Sequence, residues 1–183
     1  MNISKKWTVI VLVAIVLFAF GKYNEYQKGK SKREETQEES EINVNDKAIK
    51  GLMPVDIYMN LEKKGYQITK NHSAEYGNII NCKNSDSGID YIVDVYGDNE
   101  NPVLEVRATA SLNGMDSEKK IIAVKPFIKY ISSIPYEGSN PSKISDWLEK
   151  NFDNNGASII VSGVKFTLNA PTKFVRMLNI QKS

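Results

Sequence analysis

The chain has 183 residues, a formal net charge of +2, and one cysteine and one histidine. This balance argues against a nucleic-acid-binding protein, which needs a strongly basic face. The single cysteine excludes an intramolecular disulfide, and the single histidine excludes a metal site built on several histidines. The richness in Lys, Asn and Ile is typical of an AT-rich bacterial genome.

An unbroken apolar run lies near the start of the chain, with Lys5 and Lys6 before it and Lys22 after it. A membrane-spanning helix needs roughly 20 residues, so the run is short, but flanking lysines can snorkel and Trp7 suits the interface. We predict a membrane-spanning segment that consists of Trp7, Thr8, Val9, Ile10, Val11, Leu12, Val13, Ala14, Ile15, Val16, Leu17, Phe18, Ala19 and Phe20.

A cleaved signal peptide is the alternative for residues 1–21. Its apolar region is about 7–15 residues long, and Ala19 and Gly21 place small residues where a signal peptidase reads. No cysteine comes directly after the run, so a lipoprotein attachment site is not expected. A helix of a soluble core would show a polar stripe, which this run lacks.

The orientation of the segment rests on two opposing signals. Two lysines precede it and five basic residues come closely after it, so a strict count places the C-terminal side in the cytoplasm. A chain that opens like a signal sequence normally exports its C-terminal part. We expect a single-pass membrane protein with an extracytoplasmic C-terminal domain. A cytoplasmic domain, or secretion after cleavage, is the alternative.

Residues 22–45 are almost free of large apolar side chains. They cannot bury enough surface to offset the entropy of ordering, which predicts a flexible charged tether. Lys28 to Arg33 is basic and Glu34 to Glu41 is acidic. Either the basic half binds anionic lipid headgroups, or the whole segment is a solvated linker.

Residues 46–183 are expected to form one α+β domain that is nearly neutral. Its first helix begins near Pro54, carries Asp56 in the first turn and ends at Gly65. The expected apolar face comprises Leu52, Val55, Tyr58, Met59 and Leu61.

Four strands are predicted next, over residues 66–70, 78–83, 89–97 and 103–112. The last two alternate apolar and polar side chains, which indicates an antiparallel hairpin with one wet face.

Two helices and three strands complete the predicted chain. The earlier of these two helices spans 117–133, contains Pro126 and places Ile121, Val124, Ile128 and Ile131 on one apolar face at helical spacing. The later one begins after Asn140 as N-cap. The strands are expected over 157–162, 164–170 and 174–180. The predicted order is α-β-β-β-β-α-α-β-β-β, with the helices packed on one face of a largely antiparallel sheet. Leu-Glu-Lys precedes a glycine and a strand twice, so an internal duplication is a further hypothesis.

No catalytic, cofactor or metal site is predicted. His72 is expected in a surface loop, and Cys82 is expected to be a small buried residue. Asp90 and Asp94 lie on one strand face about 13 Å apart, too far to share a proton or a metal ion. Residues 84–88 resemble the start of a calcium loop, but the glycine comes one position early and the closing glutamate is absent.

The sequence therefore predicts a membrane-anchored, non-enzymatic binding module with no cofactor. Its partners would be membrane lipid, through the N-terminal segment, and a protein or envelope component that the sequence does not identify. A membrane-associated subunit or an immunity-type inhibitor is the second hypothesis, with Tyr96, Tyr130, Tyr136 and Trp147 as candidates for an exposed aromatic patch. A hydrolase that uses carboxylates is the third.

Overall fold

A computed structural model describes residues 46–73, 77–97, 101–113 and 117–183, without the side chains of Ser73 and of residues 117–120. The predicted anchor and tether lie outside these residues. Among the residues described, no helix has the length and apolar character needed to cross a membrane.

The described residues form three helices and seven antiparallel strands of an α+β fold, and the predicted order of elements is confirmed. In chain order the elements are α1 (Pro54–Glu62), β1 (Gln67–Ser73), β2 (Gly77–Asp86), β3 (Ile89–Tyr96), β4 (Glu105–Leu112), α2 (Ser117–Ser132), α3 (Pro141–Asn151), β5 (Ala157–Val161), β6 (Val164–Thr172) and β7 (Val175–Lys182).

All strands belong to one sheet with the order β1-β2-β3-β4-β7-β6-β5, and every neighbouring pair is antiparallel. The meander β1–β2–β3 occupies one side of β4, and the meander β5–β6–β7 occupies the other. The central contact is therefore between β4 and β7, whose sequences are separated by two helices and two strands.

Several boundaries differ from the sequence prediction. β1 extends to Ser73, so His72 lies on a strand and not in a loop. β2 extends to Asp86, so in the segment that resembled a calcium loop residues 84–86 are extended strand, and Ser87 and Gly88 form a tight turn. Both turn residues have positive φ, 52° and 77°, which suits a two-residue hairpin turn.

One face of the sheet and the three helices enclose the core. Alternate residues of the central strands point into it, among them Val93 and Val95 on β3 and Ala108 on β4, all without exposed surface. α1 contacts β1, β2 and β3, α2 contacts β4 and β7, and α3 contacts β5 and α2. Ile121, Val124, Ile128 and Ile131 of α2 are buried, as their spacing predicted.

The predicted apolar face of α1 is partly wrong. The buried residues are Pro54, Ile57 and Leu61, whereas Met59 is 43% exposed. The helix begins at Pro54, and residues three and four apart share one face, which brings Ile57 and Leu61 inward.

The predicted caps of the helices are confirmed where they are described. The Oδ1 atom of Asn140 accepts a 3.0 Å hydrogen bond from the backbone N–H of Lys143, which is the N-cap arrangement. At α1 the carboxylate of Asp56 accepts from the backbone N–H of Met53 at 3.2 Å. Pro126 lies within α2, which nevertheless continues to Ser132.

The topology argues against the duplication hypothesis. The strand order runs inward from one edge of the sheet in β1–β2–β3 and inward from the other edge in β5–β6–β7. Because all six neighbouring pairs are antiparallel, β1 and β5 point in the same direction. The helices of both halves pack on the same face. The two halves are therefore mirror images in topology, and no rotation superimposes them. The repeated Leu-Glu-Lys reflects helix propensity alone.

A buried arginine joins the end of α3 to the turn before β7. Arg176 is 5% exposed and donates from Nε to the carbonyl of Phe152 at 2.9 Å. Its Nη1 atom donates to the carbonyls of Thr172 at 3.0 Å and Val175 at 2.9 Å, and Nη2 donates to Asp153. The guanidinium thus satisfies carbonyls of a helix end and of a turn together.

Candidate functional site: the open face of the sheet

The face of the sheet opposite the helices carries the second set of alternate strand residues, and we call it the open face. Its central row crosses all seven strands in register. From β1 to β5 this row consists of Thr69, Asn81, Asp94, Arg107, Asn179, Thr167 and Ser158. Every member is polar, so the row forms a continuous line of donors and acceptors on a rigid sheet.

Arg107 lies at the middle of this row and is held in place by two neighbouring side chains. Its Nε and Nη2 atoms donate to the two carboxylate oxygens of Glu105, at 2.7 and 3.0 Å. Its Nη1 atom donates to the hydroxyl of Tyr96 at 3.1 Å, and its guanidinium carbon lies 4.7 Å from the centre of the Tyr96 ring. Such a bidentate pair fixes the plane of the guanidinium.

The Glu105 side chain is only 9% exposed, whereas 40% of the Arg107 side chain faces solvent. The carboxylate is therefore the supporting group, and the arginine is the more exposed member of the pair. Because Tyr96 is also buried, the cluster presents one oriented cation on an ordered base.

The carboxylates of β3 bond mainly to amides and hydroxyls. Asp94 accepts a hydrogen bond from Asn81 on β2 and lies opposite Arg107 in the pairing of β3 with β4. Asp90 accepts from the hydroxyl of Ser85 and from the amide of Asn113, and these bonds hold its pKa below the ordinary value. As predicted, the two aspartates share the wet face of the hairpin.

Asn179 on β7 is the neighbour of Arg107 on the other side of the row. Its Oδ1 atom is buried and has no hydrogen-bond partner within the described residues. Its Nδ2 atom donates to Gln181 at a long 3.4 Å. Arg107, Asn179, Met177 and Asn169 line a shallow depression of about 240 Å³. An unsatisfied buried carbonyl beside a fixed guanidinium is a site that an incoming donor group would stabilise.

Apolar side chains flank the central row. On one side the neighbouring row contains Ile79 and Tyr96, and on the other side it contains Ile92 and Met177. The described strand residues of the open face carry three carboxylates and three cations, which are Asp90, Asp94, Glu105, Lys83, Arg107 and Lys165. The surface is therefore mixed in polarity and neutral in charge.

His72 and Cys82 do not form a catalytic pair. His72 is exposed on the edge strand β1, where its Nδ1 atom lies 3.2 Å from Oδ1 of Asn78. Cys82 is fully buried on the core face, as predicted, and burial raises the pKa of its thiol to about 12. A neutral, enclosed thiol is not a nucleophile. Within the described ranges no three His, Cys, Asp or Glu side chains are grouped to hold a metal ion.

A second concave region lies between the C-terminal half of α2 and the start of α3. It has a volume of about 490 Å³, and its walls include Pro126, Tyr130, Ser132, Pro141 and Ser145. Its edge is polar and open. Lys129 and Asp146 also line it.

The candidate aromatic residues do not combine into one exposed patch. Tyr136 is buried and donates its hydroxyl to the carbonyl of Val161 at 2.9 Å. Tyr96 is buried beneath Arg107, and Trp147 and Tyr130 are half-buried against the core.

Comparison of the chain with models of known protein families, with curated proteins and with solved structures gave no match.

The sequence did not single out Arg107 or Asn179. Each was one of several polar residues in an alternating strand, and their adjacency depends on the pairing of β4 with β7. The available signal was the alternation of β4, which identified Arg107 as a residue of the wet face.

Proposed function

We propose that this chain is a membrane-anchored, non-enzymatic binding module whose partner is a protein and whose working surface is the open face. The observation that carries this proposal is the composition of that face, where Arg107 and Tyr96 form a fixed centre with Met177 nearby. Arg and Met are enriched in protein interfaces relative to other surfaces, and the buried Tyr96 orients the arginine. The three helices of the described residues pack on the opposite face of the sheet.

The dimensions of the open face favour a protein over a small ligand. Seven strands spaced about 4.8 Å apart give a width of about 29 Å, and four alternate residues give a height of about 20 Å. This area is comparable with the roughly 800 Å² that one partner contributes to a standard interface. The depression beside Asn179, at about 240 Å³, is smaller than the usual pocket for a small molecule, about 300–1,000 Å³.

The charge balance of the face bears on the kind of partner. A face with equal numbers of carboxylates and cations gives little long-range attraction for polyanions such as nucleic acids. It can still match a partner locally, because Asp90, Asp94 and Arg107 are each held by a neighbouring side chain. We therefore expect binding whose affinity changes little with ionic strength.

The proposed location is a membrane, with one spanning segment over residues 7–20, a tether over 22–45 and an extracytoplasmic domain. The evidence for it is the apolar run and its basic flanks. Reporters active only outside or only inside the cell, fused after Ser183, test this orientation. Activity of the cytoplasmic reporter would reverse it, and a free soluble domain would indicate signal cleavage.

Photo-crosslinking of the full chain in its native membrane tests the working surface. A photoreactive amino acid at Thr109, in the middle of the open face, should give a discrete adduct with one partner protein. The same amino acid at Ser142, exposed at the start of α3, is the control and should not. In a second experiment the photoreactive amino acid is placed at Thr167, also on the open face. There Thr109→Arg should abolish the adduct with the partner, whereas Ser142→Arg should leave it unchanged.

The opposite pattern, with adducts from Ser142 and none from Thr109, would assign the partner to the helical side and refute the proposal. Thermal denaturation of both arginine variants separates loss of binding from loss of folding. A partner that is a membrane-complex subunit or an inhibited enzyme would support the second hypothesis drawn from the sequence, and the identity of the adduct decides between these roles.

A further inference from the structure

β5 is an edge strand without the usual protection against pairing with another strand. Its sequence, Ala-Ser-Ile-Ile-Val, contains no charge and no proline, and it pairs with β6 in regular register. Ile160 is 55% exposed, one of three large apolar side chains exposed in the described part of the chain. Proteins normally protect such edges with lysine, proline or a bulge.

The other edge of the sheet differs. β1 carries Lys70 and His72, and both are exposed. A buried lysine in a foreign interface would be costly, so these residues discourage strand addition at β1. The contrast between the two edges limits strand addition to the β5 side.

The hairpin turn defines which backbone groups of β5 are free. Ser162 and Gly163 form a two-residue turn, with φ of 50° and 78°, so Val161 and Val164 form a hydrogen-bonded pair. Hydrogen-bonded and non-hydrogen-bonded pairs alternate along the ladder. The backbone N–H and C=O groups of Ser158 and Ile160 therefore point away from β6 and into the space beyond the edge.

We propose that β5 pairs in antiparallel orientation with β5 of a second copy of this chain, about a two-fold axis at Ile159. In this register Ser158 lies opposite Ile160 of the second copy, and the reverse pair is equivalent. Each pair exchanges two backbone hydrogen bonds, so four form in all. The exposed Ile160 side chain is then covered by the neighbouring strand on the open face.

The composition of β5 is what favours a second copy over a foreign strand. Self-pairing about a two-fold axis brings identical charges together, and β5 has none. The register centred on Ile159 also engages all the outward-pointing groups of Ser158 and Ile160. Because a five-residue pairing buries less than the roughly 1,200–2,000 Å² of a stable interface, the dimer should be weak and concentration-dependent.

The two-fold axis is perpendicular to the sheet, so both helical layers lie on one side and both open faces on the other. The result is one continuous sheet made from two seven-stranded sheets. Two open faces side by side would engage two copies of a partner, or a symmetric partner, with increased avidity. The pairing itself does not depend on what the open face binds.

Sedimentation of the full chain in detergent, over a range of protein concentrations, tests the dimer. Ser158→Pro removes one outward N–H and leaves the bonds to β6 intact, and Ile160→Lys places a charge at the junction. Each should raise the dimer dissociation constant at least about tenfold. Asn71→Lys, on the exposed part of β1, is the control and should leave the constant unchanged.

Cross-linking tests the register. Ile159 faces its own counterpart as a non-hydrogen-bonded pair with a Cα separation of about 4.5 Å, within the range of a disulfide. Ile159→Cys should give a covalent dimer with an added thiol oxidant, whereas Ser158→Cys should give far less. The native Cys82 is buried and should not contribute.

A chain that sediments as a monomer at every concentration would overturn the proposal. So would a dimer that Ser158→Pro and Ile160→Lys leave intact, because its contacts would lie elsewhere. A third outcome is a monomer that binds a foreign protein and loses that binding in the same two variants. This result would show that a foreign strand pairs with β5, which also contradicts self-pairing. Failure of the open-face crosslinks with an intact dimer would refute only the proposed function.

Discussion

The buried guanidinium of Arg176 should contribute more to stability than any charge on the surface of this domain. It lies within hydrogen-bond distance of three backbone carbonyls and one carboxylate, and its side chain is 6% exposed. Arg176→Met keeps much of the apolar stem and removes all five donors. The carbonyls of Phe152, Thr172 and Val175 then lose the partner that the guanidinium supplies.

The expected loss can be worked out from these contacts. Hydrogen bonds to a charged group contribute about 1.5–3 kcal/mol each, so three carbonyl contacts set an upper limit of about 9 kcal/mol. The substitution also removes the cost of keeping a charge out of water, which is several kcal/mol. We expect a net loss of about 2–4 kcal/mol. For a domain of this size that lowers Tm by roughly 7–14 °C.

Thermal and urea denaturation, monitored by far-ultraviolet circular dichroism, measure this loss. Asp153→Ala is the matched control, because the Asp153 side chain is 76% exposed and an exposed ion pair contributes at most about 1 kcal/mol. Arg176→Lys retains the charge but has a single ammonium group, so its loss of stability should lie between those of Asp153→Ala and Arg176→Met. If Asp153→Ala costs as much as Arg176→Met, the ion pair and not the carbonyls is responsible, and the reasoning is wrong.

Two further predictions concern ionisable groups. Hydrogen bonds from Lys125 and Lys129 lower the pKa of Glu149 from 4.5 to about 2. The stability this carboxylate contributes is therefore complete above pH 4.5 and lost as the pH falls towards 2, so Glu149→Gln should approach the wild type in acid. An unchanged difference between the two at about pH 2 and about pH 7 would contradict this. Burial raises the pKa of the Cys82 thiol from 9.0 to about 12, so its contribution is complete below pH 9 and lost as the pH rises towards 12. Cys82→Ala should be less sensitive to alkali, and the native thiol should react with Ellman's reagent only after unfolding, so rapid labelling of the folded chain would refute the burial argument.

The positions of the candidate surfaces explain why sequence patterns found them only in part. The alternation of β3 and β4 identified a wet face, but it could not show which strands continue that face. Arg107 and Asn179 are 72 positions apart and become neighbours because β7 pairs with β4 rather than with another strand. Likewise, nothing in the sequence of β5 shows that it lies at an edge, since an apolar run of five residues suits a central strand equally well.

The sequence by itself determined the order of the elements, the α+β class and the caps, because these depend on local periodicity, on proline and glycine, and on polar groups at helix ends. It also predicted the burial of Cys82 and of the apolar face of α2. Only the tertiary structure decided the order of the strands, the mirror relation of the two halves and the partners of Arg107 and Arg176. Those features depend on which distant segments meet, and pairing between distant strands is determined by the packing of the whole core rather than by any local pattern.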